Sequence, residues 1–154
     1  MKLLPPRLVL ILTVISVVLG LLVPILGPLA IGFRIGGGVV LAIGVGLNLR
    51  SAQRFARIGT NIVTFNDPGT LVTDGAFRFT RNPMYLGFVG IMIGVALLVG
   101  TLSAWVGVIG FWLAANQWYI PFEEGRMLAR FGDDYVAYQR RVRRWLGPPR
   151  EAGR

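Results

Sequence analysis

The chain has 154 residues, of which 54% are hydrophobic and 15% charged, whereas soluble domains usually carry ~25% charged residues. It contains no cysteine and no histidine, which excludes a disulfide framework, a zinc site of Cys/His type, a Ser-His-Asp triad and a haem held by histidine. We therefore expect no metal. The net charge of +9 is compatible with nucleic-acid binding, but membrane topology accounts for it below.

Four apolar runs cover residues 8–26, 31–49, 83–100 and 102–122. Each is close to the ~20 residues that cross a bilayer as a helix. They predict an all-α, polytopic membrane helix bundle of about four transmembrane helices, formed as a single integral membrane domain over residues 1–154. The first run exceeds the ~7–15 apolar residues of a signal peptide, so we interpret it as an uncleaved span.

Positive charge predicts the orientation of these spans. Four spans would bring the N-terminus, a loop at 50–82 and a tail at 123–154 to one side, and all Lys and Arg residues except Arg34 lie in those segments. Since basic residues mark the cytoplasmic side, we expect both termini in the cytoplasm and a bacterial inner membrane as the location. We then expect the basic residues to contact anionic lipid headgroups of the bilayer, and not nucleic acid. Arg34 is expected to snorkel to the outer headgroups, with a functional pairing left open.

Glycines mark two candidate helix-packing faces. In the second span Gly32 and Gly36 form a small-xxx-small pattern, and in the third span Gly87, Gly90 and Gly94 follow each other at helical spacing. Small residues let membrane helices approach closely. We therefore expect both sets to lie at helix interfaces.

The loop and the tail are predicted to cover the cytoplasmic end. The loop at 50–82 is too long for a simple connection and carries many apolar residues, so we expect it to pack against the mouth of the bundle. In the tail, apolar residues recur at helical spacing, which predicts an amphipathic helix interrupted at Gly132 and Asp133 and lying on an anionic membrane surface. The stripe comprises Leu128, Phe131, Tyr135, Tyr138, Val142 and Trp145.

Two local motifs stand out from this background. The first is Gly-Ala-Phe-Arg-Phe-Thr-Arg-Asn-Pro-Met-Tyr-Leu-Gly at 75–87, preceded by Leu-Val-Thr at 71–73; the second is Glu123-Glu124, followed by Phe-Gly-Asp-Asp-Tyr at 131–135 and by Tyr138. Together they resemble the isoprenylcysteine carboxyl methyltransferase family and its phospholipid methyltransferase relatives. The resemblance covers about 71–145, roughly half of the chain.

The resemblance implies an S-adenosylmethionine-dependent membrane methyltransferase, similar to carboxyl O-methyltransferases, that acts on a lipid-like or isoprenoid acceptor. It also implies a cytoplasmic cofactor pocket closed by the C-terminal segment. Arg81 would be the catalytic residue that meets an acceptor carboxylate, and Tyr119 stands on the acceptor side where the family has arginine. Phe77 and Asn82 replace a family tyrosine and histidine. The cofactor-binding residues would be Thr70, Leu71, Val72, Phe77, Asn82, Pro83, Met84, Tyr85 and Glu123.

Chemistry without histidine is possible for such a reaction. The cofactor carries its own activated methyl group, and an acceptor carboxylate is ionised at neutral pH, so no base is needed. Structural interpretations remain for each residue: Arg78 and Arg81 could anchor a span to headgroups, Pro83 could begin a helix, and the acidic pair could complement a helix dipole. Two other functions also stay open, a membrane reductase of the sterol type that uses NADPH and a non-catalytic membrane scaffold.

Overall fold

The computed structural model describes residues 3–58 and 69–146, and over these ranges it contains helices and no strand. Two short 3₁₀ turns, Gly75–Arg78 and Leu102–Trp105, precede α3 and α4. A π-helical turn, Ala115–Tyr119, joins α4 to α5 without a break. The expected all-α class is confirmed. The five helices are α1 (Pro5–Leu22), α2 (Ile31–Ile58), α3 (Pro83–Val99), α4 (Val106–Ala114) and α5 (Ile120–Arg141).

Two helices end at other residues than the predicted membrane spans, whose own bounds stay predictions. The first helix ends at Leu22, before the predicted 26, because Pro24 cannot continue a helix and restricts the residue before it. The second continues to Ile58, well beyond the predicted 49, because residues 50–58 contain neither glycine nor proline. The predicted loop at 50–82 therefore begins as helix. The sequence of the predicted loop also favours a turn at 66–69 (Asn-Asp-Pro-Gly), most of which lies outside the described residues.

The helices α2 and α3 pack through glycine. A Cβ placed on Gly44 would lie 2.7 Å from the carbonyl oxygen of Gly87, and one on Gly94 would lie 2.6 Å from the Leu41 nitrogen. The predicted packing edge on α3 is thus confirmed. On α2 the prediction was wrong, because the face in contact carries Gly37 and Gly44, whereas Gly32 and Gly36 have open space around them.

The end of the bundle opposite the two motifs is closed by backbone hydrogen bonds between its connections. The Leu29 N–H donates to the Gly100 carbonyl at 2.9 Å, and the Leu102 N–H donates to the Ile25 carbonyl at 2.8 Å. Arg34 lies at this end, where its Nε donates to the Leu98 carbonyl at 3.0 Å. A cation at the C-terminal end of a helix is stabilised by the helix dipole, so Arg34 has a structural partner on α3.

The outward faces of α1 and α2 are apolar. Both helices are long and apolar enough to cross a membrane, while α3 is a shorter apolar helix. Leu22 is 76% exposed on α1 and Ile31 71% exposed on α2, and most of the residues in both apolar windows are not buried. Water would not favour so large an apolar surface, which supports an integral membrane protein. The number of crossings and the orientation stay predictions.

The C-terminal half of α5 packs inward. Gly132 interrupts the helix with φ 51°, as predicted from the sequence. Beyond it Tyr135, Tyr138 and Val142 are buried against Val72 and Phe77. This part of the predicted amphipathic stripe contacts the protein and not a membrane surface, so that expectation was wrong. The segment that follows α5, residues 142–146, continues along the N-terminus of α3.

Candidate functional site

The N-terminus of α3 binds the C-terminal segment. Pro83 begins the helix, as Pro favours, and it places the preceding Thr80-Arg81-Asn82 turn at the end of the bundle. The Thr80 Oγ1 and the Asn82 Nδ2 both donate to the Arg144 carbonyl, at 3.1 and 3.0 Å. The Asn82 N–H donates back to the Thr80 Oγ1 at 3.1 Å. Asn82 is buried, so its amide group holds residue 144 against α3.

A charged cluster, Arg81–Glu124–Arg144, joins three elements at this point. The Arg81 Nη2 lies 2.7 Å from Glu124 Oε1, and the Arg144 Nη2 lies 2.5 Å from Glu124 Oε2. The side chains of Arg81 and Glu124 are 10% and 12% exposed. Because Arg81 and Glu124 are so little hydrated, each needs the opposite charge of the other to offset the free energy of leaving water.

The Arg81 guanidinium is directed into the protein. Besides Glu124, its Nη1 donates to the carbonyls of Gln139 and Val142, both at 3.1 Å. Its Nε is buried with no hydrogen-bond partner among the described residues. An arginine that only anchored a helix to headgroups would point outward. The catalytic role expected for Arg81 stays a prediction, since its Nη donors contact the chain itself.

Beside the cluster, Tyr85 and Glu123 form a second polar contact. The Tyr85 hydroxyl donates to Glu123 Oε1 at 2.9 Å. The Tyr85 ring is stacked with those of Phe111 and Tyr119, whose centroids are 6.4 and 6.2 Å away. The predicted asparagine-proline turn and the predicted acidic residue thus lie at one end of the bundle. A carboxylate next to aromatic faces is an arrangement that attracts cations.

A buried aromatic cluster adjoins the charged cluster, since the Val142 carbonyl that accepts from Arg81 belongs to one of its residues. Val72, Phe77, Tyr135, Tyr138 and Val142 form it, with Leu71 packed against it. The Tyr138 hydroxyl donates to the Phe77 carbonyl at 2.8 Å. Burial, with a smaller contribution from Glu124, raises the pKa of Tyr135 to about 12, and burial raises the pKa of Tyr138. Both phenols are therefore neutral hydrogen-bond donors at physiological pH.

The predicted site residues fall into two groups. Arg81, Asn82, Tyr85, Tyr119 and Glu123 lie together around the N-terminus of α3, and Pro83 is fully buried there. In the second group, Leu71, Val72 and Phe77 belong to the aromatic cluster. Thr70 is exposed and Met84 is half-buried.

Sequence reasoning missed three residues of this site. Glu124 was seen only as part of a pair and was not assigned a role. Asn116 accepts hydrogen bonds from Arg144 and Trp145, at 3.4 and 3.2 Å. A polar residue within an apolar span is a signal that could have identified Asn116. Arg144 stands in a run of similar arginines, and nothing in the run distinguishes it.

A lateral apolar groove reaches the site. It has a volume of about 760 Å³ and lies between α1 and the α4–α5 helix. Leu8, Leu12 and Ala114 line it, and Tyr119 forms part of its wall. The Tyr119 hydroxyl donates to the Leu3 carbonyl at 2.7 Å. The ring that stacks on Tyr85 therefore also faces an opening on the apolar side of the bundle.

These features define a helical membrane protein with a polar site at one end of its bundle. The sequence profile of the phospholipid methyltransferase family matches residues 33–134. The chain belongs to this family.

Individual relatives agree with that assignment. Over 78 residues the chain is 33% identical to a protein-S-isoprenylcysteine O-methyltransferase of Schizosaccharomyces pombe. The aligned segment is 50% of this chain and 33% of the relative. The chain is also 34% identical over 73 residues to protein-S-isoprenylcysteine O-methyltransferase B of Arabidopsis thaliana. That segment is 47% of this chain and 36% of the relative. An uncharacterized protein of Haemophilus influenzae is 44% identical over 63 residues, 41% of this chain and 100% of the relative.

The matched segments are thus only about a third of each named methyltransferase. No solved structure matches the chain. The family and the two candidate spans support a methyltransferase embedded in a membrane.

Proposed function

We propose that the protein transfers a methyl group from S-adenosylmethionine to a lipid-like or isoprenoid acceptor at the membrane. The observation that carries the proposal is the meeting of residues 81–85 with Glu123 and Glu124, more than thirty-five residues away: Arg81 contacts Glu124 at 2.7 Å and Tyr85 contacts Glu123 at 2.9 Å. Isolated structural roles for these residues would not require them to converge. Membership of the phospholipid methyltransferase family supports the same reaction.

The side chains at this end suit a sulfonium cofactor. The Glu123 carboxylate and the faces of Tyr85 and Tyr119 offer a negative charge and aromatic surfaces to a cation. Asn82 and Glu123 would hold the cofactor, with Leu71, Val72 and Phe77 contributing an apolar wall. When bound, S-adenosylmethionine supplies the activated methyl group. The chain would then have to orient the acceptor and exclude water.

The apolar groove supports a hydrophobic acceptor. Its volume of about 760 Å³ is in the range of small-molecule sites, and its wall at Tyr119 adjoins the ring of Tyr85. An acceptor whose apolar chain lies in this groove would have its polar end near Glu123. We therefore propose that Tyr119 contacts the acceptor. Arg81 would meet a carboxylate acceptor by exchanging one of its present contacts.

Methyl transfer to membrane lipids tests the function. Purified protein in nanodiscs is incubated with methyl-labelled S-adenosylmethionine and a lipid extract, and labelled products are identified by mass spectrometry. We expect a labelled lipid that is absent with Asn82→Ala. NADPH-dependent reduction of a lipid without any label transfer would instead favour a sterol-type reductase. Absence of both reactions, with Asn82→Ala and Glu123→Ala leaving the cellular function unchanged, would favour a scaffold.

A further inference from the structure

The π turn between α4 and α5 changes the direction of every side chain that follows it. The buried residues Phe111, Ala115 and Ile120 are four and then five positions apart, and an α-helix does not keep a five-residue step on one face. The turn Ala115–Tyr119 provides the extra residue. Such turns occur often at functional sites.

The extra residue aligns Asn116 with Glu124. In an unbroken α-helix each residue advances by about 100°, so two residues eight positions apart would differ by about 80°. With one residue absorbed in the π turn, the difference falls to roughly 20°. Both side chains are thereby directed at Arg144, whose Nη1 donates to Asn116 Oδ1 at 3.4 Å while its Nη2 contacts Glu124 at 2.5 Å.

Asn116 also contacts the next residue of the C-terminal segment. The Trp145 Nε1 donates to the same Oδ1 at 3.2 Å. From α3, the side chains of Thr80 and Asn82 donate to the Arg144 carbonyl. Residues 144 and 145 are therefore held from two helices, by Asn82 on one side and by Asn116 on the other.

We propose that Asn116 is a positioning residue of the site: it holds Arg144 and Trp145 so that residues 142–146 stay closed over the Arg81–Glu124 contact. It acts through these residues and does not touch the cofactor or the acceptor. Only the expected change in cofactor affinity rests on the proposed function. The closure itself is a property of the chain alone.

Limited trypsin digestion of the full chain in nanodiscs, without cofactor, tests the closure. In Asn116→Ala we expect cleavage after Arg143 and Arg144, identified by mass spectrometry, to be about five- to tenfold faster than in the wild type, because two hydrogen bonds to the segment are lost. Asn116→Asp keeps the acceptor oxygen and should restore the slow cleavage. Gln117→Ala, on the same π turn, is the matched control and should cleave at the wild-type rate.

Cofactor affinity provides the second measurement. Isothermal titration should give a several-fold higher Kd for S-adenosylmethionine with Asn116→Ala, and recovery with Asn116→Asp. Wild-type cleavage rates in Asn116→Ala would overturn the proposal. If no variant, wild type included, binds the cofactor, the proposed function fails while the digestion still decides the role of Asn116.

Discussion

The helix α3 is held by different interactions in its central part and at its N-terminus. Its central part lies against α2 through Gly87 and Gly94, with backbone atoms in near contact. At its N-terminus, Arg81 and Asn82 hold distant segments through charges and hydrogen bonds. The first region is stabilised by close packing, which tolerates little added volume. The second depends on complete pairing of buried charges. The two regions should therefore respond to different substitutions.

Gly44→Leu should have the largest effect on folding. The added side chain would meet the backbone of Gly87 and Ile91 at 2.7 Å from its first carbon, and we expect a loss of about 3 kcal/mol or more, or no folded protein. Gly36→Leu is the matched control, since nothing lies within 4 Å of Gly36. Unfolding by denaturing detergent measures both. Equal stability of the two variants would contradict the packing at Gly44.

Glu124→Ala should come next. Removing this carboxylate leaves Arg81 buried without its charged partner, and Arg144 also loses its anion. Breaking a buried pair in this way costs about 3–5 kcal/mol. The same unfolding assay should place this variant well below the wild type. A loss under about 1 kcal/mol would mean that the cluster is hydrated and that Arg81 is not held by it.

High pH should weaken the aromatic cluster. The pKa of Tyr135 is raised to about 12 by burial, whereas an unfolded tyrosine ionises near 10. The folded protein keeps the proton that the unfolded chain loses, so this contribution is complete below pH 10. As the pH rises from 10 towards 12, roughly 2 kcal/mol should be lost. Comparing unfolding at pH 9 and pH 11.5 measures it, and Tyr135→Phe should reduce the difference.

Tyr138→Phe should cost about 1–2 kcal/mol. The variant keeps the buried ring but leaves the Phe77 carbonyl without the hydroxyl donor at 2.8 Å. Unfolding at neutral pH reports the loss. A variant as stable as the wild type would indicate that water replaces the hydroxyl.

Asp74→Asn should have the smallest effect and serves as the comparison for Glu124. Asp74 also pairs with an arginine, Arg54, but the two side chains are 54% and 42% exposed. Exposed pairs contribute below about 1 kcal/mol. High salt should weaken this pair and leave the buried cluster largely unaffected. Equal losses of stability in Asp74→Asn and Glu124→Ala would mean that burial does not determine how much each ion pair contributes.

The sequence predicts these regions unequally. Apolar runs and glycine spacing are local patterns, so they predicted the helices and the close-packing edge of α3. They did not identify Gly37 and Gly44 as the contacting face of α2, because many glycines in that helix satisfy the same spacing. The continuation of α2 to Ile58 was missed because its polar residues resembled a loop.

At the site, the two motifs predicted which residues would converge, whereas their pairing could not be predicted. Arg144 contacts Glu124 and Asn116 through a C-terminal segment and a π turn. The π turn was not predicted from the sequence, and the direction of Asn116 depends on its one extra residue. Arg140, Arg141 and Arg143 lie next to Arg144 in the sequence, and no pattern distinguishes Arg144 from them.

Isothermal titration of S-adenosylmethionine into the wild type and into Glu123→Ala tests the central claim most directly. We expect measurable binding to the wild type and at least a tenfold higher Kd for the variant, with its melting temperature nearly unchanged. Glu123→Ala should matter because the Glu123 carboxylate, held by the Tyr85 hydroxyl, is the negative charge offered to the cofactor. No binding to the wild type at millimolar cofactor, or equal affinity of the two proteins, would contradict the account.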